Sequence, residues 1–159
     1  MVVVGALALP AAAAASSSGV VNLLRVLAGP LARAEHGKLR VLIPAQLDAG
    51  FPPAHLYASG GLSVGGYDIQ LAAAPHCDDS PACFVAEFSG AAKGKPDGAD
   101  RVALTKGIVA RYSPIAGGAS CGLASVEWRE YGALYTLWFS GAEKELVALA
   151  DAAIAAGPR

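Results

Sequence analysis

His76, Cys77 and Cys83 stand together in the stretch HCDDSPACF, and Cys121 follows further along the chain. One imidazole and three thiols are the donor types of a tetrahedral zinc site. The spacing argues against one. The C-x5-C interval exceeds the two to four residues of a zinc knuckle, and side chains as close in sequence as His76 and Cys77 rarely converge on one ion. No metal ligand set and no cofactor is therefore expected. In an oxidising compartment the same thiols become a staple: Cys77 and Cys83, flanking Asp78-Asp79-Ser80-Pro81, are expected to close a short loop, which by chain entropy contributes about 2 kcal/mol. With Cys77, Cys83 and Cys121 one thiol is left over, so pairing of Cys121 with either of the others stays open.

Two segments match the nucleophile-elbow pattern G-x-S-x-G, Gly61-Leu62-Ser63-Val64-Gly65 and Gly118-Ala119-Ser120-Cys121-Gly122. An elbow needs a strand before it, a helix after it, and an acid and a histidine downstream in that order. No histidine follows Ser120. Asp68 and His76 follow Ser63, but too closely for the layers of that fold. The segment GAAKGKP has one residue too few before Gly94-Lys95 for a phosphate loop, and Pro96 stands where a hydroxyl residue is needed. His36 and His55 lie beside Gly37 and Pro52-Pro53, where a solvated imidazole is the default. Asp78-Asp79 and Asp97 with Asp100 sit in turn-like segments, where aspartate bonds its own backbone. No residue is expected to be catalytic. A small secreted hydrolase or a metal-binding protein is the alternative.

The chain has 159 residues, with 12 Lys and Arg against 13 Asp and Glu for a net charge of -1. It lacks a basic cluster able to neutralise a run of phosphates, so nucleic acid is not an expected partner. A hydrophobic content of 54% with 16% charged residues excludes a disordered chain. The 19 glycines and 10 prolines favour loop-rich β structure over a helical bundle.

The first residues, MVVVGALALPAAAAASSSG, combine an apolar run with small residues in which Ala13 and Ala15 fit the A-x-A cleavage pattern. This organisation predicts a signal peptide over 1–15, a short helical lead-in over 16–36 and a single α+β domain over 37–159. Export to the periplasm or cell exterior follows. The first charged residue is Arg25, and about 20 apolar residues span a bilayer, so an uncleaved membrane anchor is the rival.

Those segments must supply the scaffold. Val20, Leu23, Leu24 and Leu27 recur at helical spacing, with Ser18 as cap and Gly29-Pro30 as a break. Leu39, Val41 and Ile43 alternate as in a strand, residues 44–66 read as loop or bent edge strand, and Tyr67, Ile69 and Leu71 alternate again. So do Phe84, Ala86 and Phe88. Val102–Tyr112 reads as two short strands or one bulged at Gly107.

A turn at Tyr131-Gly132 would set Trp128 opposite Tyr135, Val126 opposite Leu137 and Ala124 opposite Phe139, all apolar. A slip of one residue would mix the faces, so the register is strongly specified. Ser140 and Glu143 have capping-box spacing, and Leu146, Leu149, Ala150, Ala153 and Ile154 form a stripe that Gly157-Pro158 closes. The fold class expected is α+β: a curved antiparallel sheet with a C-terminal helix packed on one face and a short N-terminal helix.

The pattern W-x-x-x-G-x-L-Y-T-L, followed by a helix with L-x-x-L-A-x-x-A-I, resembles the end of a domain of unknown function in exported bacterial proteins. That domain is similar in pattern to extracytoplasmic parts of anti-sigma-type envelope proteins. The likeness covers the last third of the chain, extending loosely to Phe84, and rests on Trp128, Gly132, Leu134, Tyr135, Leu149, Ala150 and Ile154. These are packing and turn residues, so it implies export and a sheet with a helix, and no chemistry. Leu134 and Trp138, apolar among polar neighbours on the other hairpin face, are the candidate binding surface for a protein or a lipid-like envelope component.

Overall fold

The computed structural model describes residues 19–48, 56–77, 82–115 and 123–159. The leader, His55, Asp78-Asp79 and the Ser120-Cys121 pair lie outside the described residues.

Seven antiparallel strands form an open sheet in the order β3-β4-β5-β9-β8-β7-β6. They are β3 (Tyr57–Ser63), β4 (Gly66–Ala72), β5 (Phe84–Ala91), β6 (Asp100–Ala103), β7 (Val109–Ser113), β8 (Ala124–Glu130) and β9 (Ala133–Phe139). A separate two-stranded ribbon pairs β1 (Val20–Asn22) with β2 (Gln46–Asp48). Two short helices, α1 (Leu23–Val26) and α2 (Ala28–Glu35), follow β1, and α3 (Glu143–Ala156) ends the chain. The architecture is α+β, with a mostly antiparallel sheet, a C-terminal helix and a short helical segment near the start.

The hairpin of β8 and β9 has the register that its alternation demands. Trp128 pairs with Tyr135, Val126 with Leu137 and Ala124 with Phe139. Its two-residue turn puts Tyr131 at φ 51° and Gly132 at φ 79°, the pair of positive angles that a type I′ connection requires. Extending these rows across the sheet gathers Tyr67, Ile69, Leu71, Phe88, Ala110 and Tyr112 onto one face, all of them buried. This first face joins a single apolar cluster with Leu27, Leu31 and Ala34 of α1–α2 and Leu146, Leu149, Ala150, Ala153 and Ile154 of α3. In sequence α2 neighbours β3 and β4 in space, while α3 neighbours β8, β9 and a 3₁₀ turn at Thr105–Gly107.

Four local expectations are corrected. Gly29-Pro30 does not break the helix. Pro30 falls in the first turn of α2, where a backbone N–H has no intrahelical acceptor to lose. The first helix starts at Leu23, capped by Asn22, whose Oδ1 accepts the Arg25 N–H at 3.1 Å, because Val20–Asn22 pairs with β2. The segment from Leu39 to Ile43 is not a sheet strand. Val41, Leu42 and Ile43 are all buried, which a half-exposed strand would not allow, and Val41 exchanges backbone bonds with Arg159, at 3.2 and 3.1 Å. Tyrosine hydroxyls take three further backbone groups: Leu42 N–H donates to Tyr67 Oη at 3.1 Å, Tyr67 donates to Leu42 O at 3.3 Å, and Tyr135 donates to Arg40 O at 3.0 Å. Finally, α3 begins after Ala142 and not at Ser140, because Glu145 Oε2 accepts the Ala142 N–H at 2.9 Å and so satisfies one orphan donor from inside the helix.

Candidate functional site

The strand order forces a long connection. From β5 in mid-sheet the chain must pass β9, β8 and β7 to reach β6 at the far edge. Residues 92–99 make this crossing over the second face, and polar side chains of that face receive them. Glu127 Oε2 accepts the Asp97 N–H at 2.8 Å, and Arg129 donates to Gly94 O and to Gly132 O. Gly94 has φ 117°, and a Cβ there would stand 2.8 Å from Leu134 Cδ2. Leu134 thus lies half-buried under the crossover, and Trp138 stands four residues along β9 on the same face.

Trp138 belongs to a different row. Ser59, Gln70, Glu87, Trp138 and Ser125 succeed one another across the second face from β3 to β8. Gln70 Nε2 donates to Glu87 Oε2 at 3.4 Å, Trp138 is half-buried, and Ser125 is buried at 2% exposure. Next to this row, at the edge of the sheet, is a cavity of about 670 Å³ whose walls include Tyr57, Ser59, Gln70, Ala72, His76 and Phe84. That volume lies within the range of roughly 300–1,000 Å³ typical of small-molecule sites.

Two features of local structure create this cavity. A register shift between Leu71 and Ala72 places Ala72 opposite Phe84 and Leu71 opposite Ala86, so Val85 is an extra residue. The period-two reading of Phe84, Ala86 and Phe88 therefore fails at its first member: the bulge turns Phe84 off the core face and into the cavity wall. The second feature is the β4–β5 loop. Cys77 and Cys83 are joined, with sulfurs 2.05 Å apart, and Ala73 N–H donates to Cys83 O at 2.7 Å. His76, adjacent to the bridge, is exposed and takes φ 63°, a left-handed conformation uncommon outside glycine. The bridge answers the pairing question that spacing left open. Replacing Cys77 and Cys83 together by serine is expected to lower stability by about 2 kcal/mol, read as a shift in denaturant midpoint under oxidising conditions, with no change when the parent protein is reduced first.

The remaining chemical candidates lie apart. Ser63 closes β3 at a tight turn into β4, with Gly65 at φ 80°, so no helix follows it and the elbow geometry is absent there. Ser63 and the cavity lie at opposite ends of β3. His36 ends α2 at the surface. Among the described residues no group of three or more His, Cys, Asp and Glu side chains comes together, and no helix is long and apolar enough to cross a membrane. The signal that sequence reading lacked was the bulge, because nothing in FVAEF marks Val85 as the inserted residue. Comparison with protein-family models, with curated proteins and with solved structures gave no match.

Proposed function

We propose that this chain is an exported, non-catalytic binding domain of a bacterial envelope that takes an uncharged, partly apolar component on the second face of its sheet. In this reading α3 covers the Trp128 face and packs the core shut, and the part of the opposite face that residues 92–99 do not cross is left for recognition. The observation that carries the proposal is the cavity beside the Trp138 row. Among the described residues its walls include Tyr57, Phe84, Ser59, Gln70 and His76, and no Lys, Arg, Asp or Glu. Those described walls offer an ionic ligand no carboxylate, ammonium or guanidinium partner, and burying it unpaired is costly. A ligand with an apolar surface and a few polar groups would be matched on both counts. Export is supported by the leader, by the likeness to exported envelope domains and by the disulfide, which persists in oxidising compartments.

Native mass spectrometry of protein exported from a bacterial host tests this directly. The expected species starts close to Ser16, keeps its disulfide and carries a co-purifying small component. Tyr57→Ala combined with Phe84→Ala should strip that component while the variant remains folded by circular dichroism. Trp138→Ala should reduce its occupancy severalfold. Equal occupancy in parent and variants would place the ligand elsewhere and overturn the assignment.

A further inference from the structure

We infer that the cavity takes a neutral saccharide, a β-linked pyranose whose ring substituents are all equatorial; the inference rests on the recognition reading above and names the ligand class of that site. Tyr57, Ala72 and Phe84 form one row across β3, β4 and β5, with the small residue in the middle. All three line the cavity. Side chains stand roughly perpendicular to a sheet, so two aromatic residues rise on either side of a floor made by a methyl group. Two strand spacings of about 4.8 Å set them roughly 10 Å apart, which leaves room for one saturated six-membered ring. Two residues along β3, Ser59 pairs with Gln70 and places a hydroxyl beside a carboxamide, both in the cavity wall. Glu87 continues that row and accepts from Gln70 Nε2 at 3.4 Å. His76, from the loop that the Cys77–Cys83 bridge closes, adds an exposed imidazole.

Aromatic walls combined with a neutral polar row match this ligand chemistry closely. A pyranose with equatorial substituents carries its hydroxyls around the ring edge and bare C–H groups on both ring faces. Those slightly positive C–H groups are drawn to the electron-rich faces of aromatic rings. The hydroxyls both donate and accept, as do a serine hydroxyl, a carboxamide and a neutral imidazole. An axial hydroxyl would set a polar group against one aromatic wall, so the trough disfavours rings that carry one. An acyl chain would cover Ser59, Gln70 and His76 and return no hydrogen bond for the water it displaced. A charged sugar would meet no ionic partner among the described walls. Those walls are also open to solvent: Tyr57 is 43% exposed, and Ser59 and His76 are exposed. A ligand held there keeps one side in water, which suits a residue within a hydrophilic chain better than an apolar molecule.

Isothermal titration calorimetry of the full exported protein with neutral hexasaccharides tests this. The probes are cellohexaose and chitohexaose, whose ring substituents are all equatorial, and mannohexaose, which carries an axial hydroxyl beside each anomeric carbon. Binding is expected to one or both of the equatorial probes, and to be weaker for mannohexaose by roughly tenfold or more. Ser59→Ala combined with Gln70→Ala should weaken it by roughly tenfold or more at an unchanged melting temperature. Tyr57→Ala combined with Phe84→Ala should abolish it. Absence of binding to both equatorial probes, equal affinity for mannohexaose, or indifference to the Ser59, Gln70 pair overturns the saccharide assignment. The mannohexaose comparison needs only the parent protein, so it holds where a variant fails to fold. Failure of this assignment and failure of the recognition reading give different results. If the Tyr57, Phe84 pair strips a co-purifying component that none of the hexasaccharides displaces from the parent, the cavity binds a ligand that is not a saccharide. If a hexasaccharide binds parent and that variant equally, the cavity is not the site at all.

Discussion

Trp128→Ala is expected to lose about 3–5 kcal/mol of folding stability, a large part of what a domain of this size possesses. Trp128 is 2% exposed, pairs with Tyr135 across the central hairpin and stacks on its ring at a centroid distance of 5.7 Å. Alanine would leave a void between strands that their backbone ladder holds apart, so little collapse can offset it. A second substitution separates volume from polarity. Trp128 Nε1 is buried with no hydrogen-bond partner among the described residues, and leaving a buried donor unpaired costs stability. Trp128→Phe removes that donor along with part of the ring, and its cost should be well below that of alanine, about 1–2 kcal/mol. Trp138→Ala, on the second face and half-buried, should cost about 1 kcal/mol. Denaturant midpoints with unchanged m-values check all three. Equal losses for Trp128→Ala and Trp138→Ala would mean that both faces are packed shut, which would remove the proposed recognition surface.

What was legible in the sequence follows from where the physics is local. The β8–β9 register could be read because one face is uniformly apolar: shifting by one residue would bring Glu127 and Arg129 into the core. The stripe of α3 could be read for the same reason, as could the paired strands on either side of Gly107. The Leu39–Ile43 segment misled because its alternation is real, yet its backbone is bonded by Tyr67, Tyr135 and Arg159, partners remote in sequence. The long crossover hid in the same way. GAAKGKPDGAD reads as a polar loop, and only the strand order shows that it must traverse three strands and cover Leu134. The candidate cavity depends on a single inserted residue, Val85, and on the loop that the Cys77–Cys83 bridge closes. Neither has a periodic signature, so the aromatic residues that matter there, Tyr57 and Phe84, carried no mark.

The two tyrosine hydroxyls give the second large effect, and its pH dependence has a definite sign. Tyr67→Phe withdraws the acceptor of the Leu42 N–H and the donor to Leu42 O at a site where Leu42 is 3% exposed. Leaving those backbone groups without their partner should cost about 1–3 kcal/mol near neutral pH. Burial pushes the Tyr67 phenol well above its ordinary value of 10.0, and the Leu42 bond offsets only part of that rise. Burial, reinforced by Glu130, likewise pushes Tyr135 up to about 12. Both groups therefore ionise more readily in the unfolded chain than in the folded one. Their contribution is complete below pH 10 and is lost as pH climbs toward the folded-state values, because there the unfolded state binds fewer protons than the native state. The parent should lose stability steeply above pH 10. Tyr67→Phe should start lower and decline less, since phenylalanine has no proton to release. Parallel urea titrations at neutral pH and above pH 10 read both quantities. An alkaline slope identical in parent and variant would show that Tyr67 ionises as easily folded as unfolded, and hence that the Leu42 clamp lies open to water.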